Sequence, residues 1–427
     1  MDKPKILLIS SASPLKGAGG VALDYYKAFQ EDGYIIDFLT LYPVDGFPKI
    51  KFVLNKPSIL HKYINKLKYF FSGLSKQNGD YNFFYTYEQI PEITSHKVLK
   101  TLDEHYDLIL ILFWQWMLSF STIKSLYNKY KCQIHFMGVD YSQMTGGCHF
   151  PGNCKKYMVG CGCCPGIYSK HKKDFTYYNV RYREKVYNMV NPVVYGNLYM
   201  RKYFYDESYL LKGRRLEASA DIYDVNVFCP QDNNRLRIKY NIPTHKDFLI
   251  FFGCQYLDER RKGIEYVIDS LDLFWNRLSE SERSKVLLMV AGERFEKISG
   301  RINFDALELG YVSLDQMPEL YSLASVYLSP SVNDAGPMMV NQALCCGTPV
   351  VAFHIGTALE SVNKYSLGYC AQLKDPKDFA KGIETIYRLT DSDRITMSKN
   401  CREYAIKTFS YSARVKSVID IYNKYNS

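Results

Sequence analysis

Apolar residues in this chain fall in short unbroken runs separated by longer stretches of mixed polarity. "KILLIS" (5–10) is the first run and "YIIDFLTL" (34–41) the second. Between them a glycine-rich loop, "SASPLKGAGG", leads into "VALDYYKAFQEDG", whose apolar residues recur at helical spacing. Strand, helix and strand in that order make a βαβ unit. The theme returns at "LILILF" (108–113), "QIHFMGV" (133–139), "FLIFFG" (248–253), "VLLMVAG" (286–292), "VYLSP" (326–330) and "PVVAF" (349–353), with helical segments between most of them. Runs without polar alternation suit strands buried on both faces. Their alternation with helices predicts doubly wound parallel sheets.

The runs form two groups. Residues 170–245 between them are polar, rich in Tyr and Arg, and without a clear period. Two α/β domains, Rossmann-like and facing a cleft, are therefore expected: 1–225, with a cysteine-rich insertion at 145–167, and 226–407. A length of 427 residues agrees, being too long for one ordinary core. Hydrophobic content of 47% and charge of 23% fit a soluble globular protein. The start, "MDKPKILLIS", runs from charge straight into a strand and not into a secretory signal. The longest apolar run, "LILILFWQWML" (108–118), is too short to span a bilayer. A cytoplasmic protein is expected, its 12 cysteines serving as thiols or metal ligands. The formal charge of +10 suits an anionic partner; with no nucleic-acid motif present, nucleic acid ranks last.

Candidate chemistry is densest in "SPSVNDAGPMMVNQALCCGTPVVAF" (329–353). In a parallel sheet, ligands sit at the carboxyl ends of strands, where helices begin. Gly336 permits close backbone approach, and Pro337 suits the first turn of a helix. The free amides there, Met338 among them, favour a phosphate. Asp334 precedes the helix and Gln342 lies one turn in from Met338. That geometry suits a ligand with phosphates in the middle and hydroxyls at both ends, as in a nucleotide-sugar.

The same stretch resembles the signature of family-4 glycosyltransferases, retaining enzymes of the GT-B fold. The family carries two glutamates eight residues apart, which fall here on Asp334 and Gln342. The resemblance implies that the first contacts the donor sugar and the second the nucleotide ribose. "DERRKGIEYVIDSL" is similar to a second signature, in which a Lys before Gly holds the donor pyrophosphate; that is Lys262. An Arg usual after the strand glycine is replaced by Cys254 and Gln255, leaving Arg260 or Arg261 to compensate, Arg261 being the donor-binding choice. "KGAGGVA" resembles the N-terminal glycine loop at Gly19 and Gly20, which the family sets against phosphates and acceptor. The closing "FSYSARVKSVIDIYNKY" resembles the last GT-B helix, so 408–427 is expected to pack back on the first domain.

Three further features stand outside these motifs. In "TGGCHFPGNCKKYMVGCGCCPGI", Cys148, Cys154, Cys161 and Cys164 resemble a cysteine set of a polysaccharide-assembling subset of the family. The C-x-x-C pair Cys161 and Cys164 suits half of a tetrahedral thiolate site. Structural zinc is the expectation; an iron–sulfur cluster and free thiols are the rivals. Upstream, "FMGVDYSQM" has Val139 and Asp140 where the family often has His-Asp, so Asp140 either orients an acceptor hydroxyl or caps a turn. The stretch "PSILHKYINKLKYFFSGL" (57–74) is a basic amphipathic helix that packs on its own sheet or lies on an anionic membrane.

The sequence thus predicts a retaining glycosyltransferase with Asp334, Lys262 and Asp140 in the chemistry and no cofactor required for catalysis. It would move a sugar from a nucleotide-diphosphate donor to a glycan or lipid-linked glycan, at the inner face of a membrane, in surface-polysaccharide assembly. The alternative is an inactive scaffold of the same fold.

Overall fold

The computed structural model describes residues 3–15, 19–56, 78, 81, 88, 91–218 and 221–426. The helix expected at 57–74 lies outside the described residues, as do positions 16–18 of the glycine-rich loop. The chain divides into two compact units, Met1–Ser219 with Val415–Ser427, and Ala220–Arg414. Among the described residues, no helix is long and apolar enough to cross a membrane.

The first unit is built on seven strands: β1 (Ile6–Ile9), β2 (Ile36–Thr40), β3 (Lys51–Phe52), β4 (Leu108–Ile111), β5 (Gln133–Phe136), β6 (Val193–Gly196) and β7 (Leu216–Ala218). They pair in parallel in the order β3-β2-β1-β4-β5-β6-β7. Every residue of β1 and β4 is buried, which is why neither run alternates with polar residues. The segment without a clear period holds a helix, Phe175–Val190, followed by β6 and β7. Its buried face sets Thr176, Asn179 and Arg183 among Val180, Val186 and Tyr187, so polar residues interrupt the apolar stripe. Polar caps fix its ends: Asp174 accepts from the amides of Thr176 and Tyr177, and Asn191 closes it in the left-handed region. Val415–Ser427 completes this unit. Gln133 Nε2 donates to Tyr422 O at 2.9 Å, and Glu217 accepts from Lys424 Nζ and Tyr425 Oη, each at 2.6 Å.

The second unit carries β8 (Phe248–Tyr256), β9 (Val286–Glu293), β10 (Ala306–Gly310), β11 (Val326–Ser329), β12 (Val350–Phe353) and β13 (Gly368–Ala371) in the parallel order β10-β9-β8-β11-β12-β13. The two-residue period of β8 distributes its side chains between two cores. Phe248, Ile250 and Phe252 pack on one face with Leu271 and Phe379, and Leu249 and Phe251 on the other with Tyr321 and Leu344. Each such fully buried side chain contributes roughly 1.5–3 kcal/mol.

Candidate active site

Strand order in the second sheet reverses between β8 and β11, and ligands of open α/β sheets gather outside the carboxyl ends at such a point. Both sequence-predicted charges lie on the segments that leave those two strands. After β8 the chain makes a 3-10 turn, Arg260–Lys262, that ends at Gly263 with φ 70°. A Cβ at Gly263 would stand 1.9 Å from Pro330 O, so only glycine lets this turn nest against the segment after β11. The amide of Val332 seals the contact, donating to Arg261 O at 2.8 Å.

Nesting brings Lys262 Nζ to 2.7 Å from Asp334 Oδ2, with Arg261 Nη1 at 3.4 Å from the same oxygen. Asp334 Oδ1 accepts from the Gly336 amide at 3.3 Å. Burial works to raise the Asp334 carboxyl, but the charge and hydrogen bond of Lys262, with Arg261 behind it, outweigh burial and hold it below the ordinary carboxylate range. Arg261 contacts Asp334 in this way while its Nε lies 2.5 Å from Glu259 Oε1. Cys254 cannot replace a charge: burial above all pushes its thiol up to about 11, and Sγ donates to Tyr256 O at 3.0 Å.

Gly336 and Pro337 lead into the helix Met338–Cys345, with Pro337 at its cap position. Met338 packs on the core, and its carbonyl accepts from Tyr223 Oη at 3.3 Å. Gln342 is buried, its Oε1 accepting from Tyr321 Oη at 3.0 Å. The tyrosine lies 21 residues away, and no motif pointed to it.

In the first unit, Gly19 caps the helix Gly20–Glu31, and a Cβ on Gly19 would stand 2.0 Å from Ser13 O. The glycine therefore lets the loop fold onto itself. Asp140 follows β5 and is buried. Its Oδ1 accepts from the Ser142 amide at 2.7 Å and from Ser142 Oγ, and its Oδ2 from Gln115 Nε2 at 3.1 Å. His149 Nδ1 stands 2.6 Å from Oδ2. Next to this cluster, Arg183 and Glu88 form an ion pair at 2.5 Å in which both side chains are fully buried. Arg183 also donates to Ser142 O at 2.7 Å and to Thr145 O, and Glu88 accepts from the Phe120 amide at 2.8 Å. His149 directly follows Cys148 in the cysteine-rich stretch, and no motif marks it, Gln115, Arg183 or Glu88. The one available signal was an Arg inside a helix whose contacts were not yet known.

Cys148, Cys154, Cys161 and Cys164 line one small cavity of about 20 Å³, room for a single water-sized occupant. Among the described residues, no group of three or more Cys, His, Asp or Glu is placed to hold a metal ion. The geometry thus gives no support to the zinc or iron–sulfur site expected from the sequence. The four sulfurs share a cavity in which burial is the largest cause of raised thiol values. Burial pushes the Cys161 and Cys164 thiols up to about 12, and Cys148 well above its ordinary value. Iodoacetamide at pH 8 should accordingly modify Cys161 and Cys164 in the folded protein about 10³-fold more slowly than in the unfolded chain, and Cys148 more slowly as well. Time-resolved peptide mass mapping measures this directly; labelling at the unfolded rate would contradict the burial.

Residues 232–408 match the family model described as Glycosyl transferases group 1, which covers most of the second unit. An uncharacterised glycosyltransferase of Methanocaldococcus jannaschii is 24% identical over 206 residues, 47% of this chain and 50% of that one. D-inositol 3-phosphate glycosyltransferase of Corynebacterium kroppenstedtii is 24% identical over 213 residues, 47% of this chain and 46% of that one. The chain spans about half the length of these curated relatives. Among solved structures, Anabaena HepE in complex with UDP superposes with a TM-score of 0.64 at 16% identity, covering 98% of this chain and 100% of HepE. Sucrose-phosphate synthase of Thermosynechococcus elongatus gives 0.62 at 16% identity, covering 99% of each chain. The fold is GT-B, two parallel α/β sheets of seven and six strands.

Proposed function

We propose that this chain, whose second unit matches the group 1 glycosyl transferases, moves a sugar with retention from a nucleoside-diphosphate donor to a glycan or lipid-linked glycan during polysaccharide assembly. The observation that carries the reading is the Lys262–Asp334 pair at the switch point of the second sheet. Without donor, each charge is the other's counter-ion. A donor diphosphate would replace Asp334 as the partner of Lys262 and release the carboxylate to accept from sugar hydroxyls. One binding event then completes both halves of the site.

Charge builds on the leaving diphosphate as the bond from the anomeric carbon to the phosphate oxygen breaks. Lys262, Arg261 and the amides that open the helix Met338–Cys345 are the groups to stabilise it. The acceptor hydroxyl bonds to the anomeric carbon from the same face, and its proton passes to the departing phosphate oxygen. With its carbonyl oxygen engaged by Tyr321, Gln342 offers the ribose its amide NH₂. The net charge of +10 supports an anionic donor and an acceptor held at an anionic lipid surface.

Thermal unfolding with UDP, GDP and ADP tests this. UDP, the ligand of HepE, is expected to stabilise the chain, by about 2.7 kcal/mol at a hundred times its dissociation constant. If no diphosphate raises the midpoint, the donor site is void and a scaffold role takes its place.

A further inference from the structure

We infer that the first unit carries a binding site for an acidic sugar, one bearing a carboxylate or a phosphate, at the amino edge of its sheet. A cavity of about 570 Å³ lies there, at the starts of β4, β5, β6 and β7. That volume is within the roughly 300–1,000 Å³ usual for small-molecule sites. Gln115 and Asp140 follow their strands at the opposite, carboxyl edge, so the cavity is separate from that cluster.

Chain order sets one polar residue just ahead of each of three neighbouring strands: Lys131 before β5, Asn191 before β6 and Arg215 before β7. Strands lie about 4.8 Å apart, so cation, amide and cation stand side by side over roughly 10 Å of the cavity wall. Among the described residues, neither cation forms an ion pair. Glu217, two residues beyond Arg215, is taken by Lys424 and Tyr425. Aromatic rings hold both cations instead: Arg215 lies over Tyr425 at 4.6 Å and Lys131 over Tyr127 at 5.2 Å. The uncompensated charge is felt inside the sheet. Burial first, and Arg215 second, lower the His135 imidazole to about 3.

The remaining wall suits hydroxyls. Asp107 accepts from the Lys5 amide and from His105 Nε2, each at 2.8 Å, which uses two of the about four lone-pair directions of a carboxylate. Its side chain is 34% exposed, which leaves the others to accept from a sugar. Tyr422 Oη accepts from Asn426 Nδ2 at 3.1 Å and keeps its own proton to donate. The Asn191 side chain makes no hydrogen bond among the described residues and offers both donor and acceptor. Two unpaired cations beside an array of hydroxyl partners are what a sugar with one anionic group requires. A bare anion would leave that array unused, and a cationic ligand would meet Lys131 and Arg215.

Calorimetry on the full chain tests this with galacturonic acid, trigalacturonic acid, glucose 6-phosphate, glucose and inorganic phosphate as probes. At least one acidic sugar is expected to bind saturably, in the millimolar range or tighter, with the same affinity in excess UDP and in Lys262→Ala. Arg215→Gln and Lys131→Gln should each weaken it about 10-fold or more, as loss of a hydrogen bond from a charged group does, with the melting midpoint unchanged. Lys131 is exposed, so its variant serves alone if Arg215→Gln melts early. Tighter binding of the trimer than of the monomer assigns the site to a glycan chain, and equal binding to a free sugar; both support it. The site is overturned if no acidic sugar binds, if glucose or inorganic phosphate binds as tightly, or if Lys131→Gln binds as the native chain does. Loss of binding in excess UDP also overturns it, because the sugar then occupies the donor site. A chain that binds acidic sugar but no diphosphate overturns the transferase reading and leaves this site standing.

Discussion

Lys262→Ala is expected to abolish stabilisation by the diphosphate and to lower kcat/KM by about 10²–10³-fold, the usual loss when one preorganised charge is removed from a transition state. Its effect on folding is separate. Asp334 is buried, with Lys262 Nζ at 2.7 Å and Arg261 Nη1 at 3.4 Å from its carboxylate. Losing a hydrogen bond to a charged group of this kind costs about 2 kcal/mol. The double variant Lys262→Ala, Asp334→Asn removes the stranded charge as well, so it should regain most of the stability and none of the activity. Had Lys262 been only a fold-stabilising ion pair, the double variant would still be stabilised by the diphosphate. Acid unfolding supplies a second reading. A carboxyl held below its ordinary value stabilises the fold above the unfolded carboxylate range, and that stabilisation is lost as pH falls through the lowered folded value. Lys262→Ala raises the folded value, so its acid transition should begin at higher pH than in the native chain.

The larger effect on stability is expected from Arg183→Met. It strands Glu88, whose side chain is fully buried, and releases two carbonyls that Arg183 holds. Breaking one side of such a pair typically costs about 3–5 kcal/mol. Met preserves much of the volume over the Phe120 ring, where the guanidinium sits at 4.9 Å, so lost packing contributes little. Adding Glu88→Leu should return part of the loss, because it removes the isolated charge. Hydrogen exchange of the β4 and β5 amides reads the first unit by itself. A change below about 1 kcal/mol would mean that water or another cation takes over the carboxylate, contrary to the burial seen here.

The strands buried on both faces were legible in the sequence because each is an unbroken apolar run. Ile6–Ile9, Leu108–Ile111 and Phe248–Tyr256 all fall where the pattern put them. The edges were not. Ala306–Gly310 mixes exposed with half-buried residues and Gly368–Ala371 is only partly buried, so neither shows a full apolar face. The helix Phe175–Val190 was illegible for another reason: it turns Arg183 and Asn179 inward to satisfy Glu88 and a loop carbonyl, a pattern with meaning only once the fold exists. Asp334 and Lys262 were found by motif and meet in space. What no motif could show is that they meet each other. Val139 stands where the family often has His, and the contact of Asp140 with His149, nine residues on, is one that no motif marked. Cys148, Cys154, Cys161 and Cys164 line one cavity, but spacing says nothing of how burial shifts their thiols.

The return of Val415–Ser427 to the first unit sets an order of events during synthesis. A contiguous domain can fold as it leaves the ribosome, the amino-terminal one first. Here the sequence inverts that order. All of Ala220–Arg414 emerges before Tyr422, Lys424 and Tyr425 exist to meet Gln133 and Glu217. The portion made first is therefore finished last, and for the time taken to translate some two hundred residues its sheet waits without its closing helix.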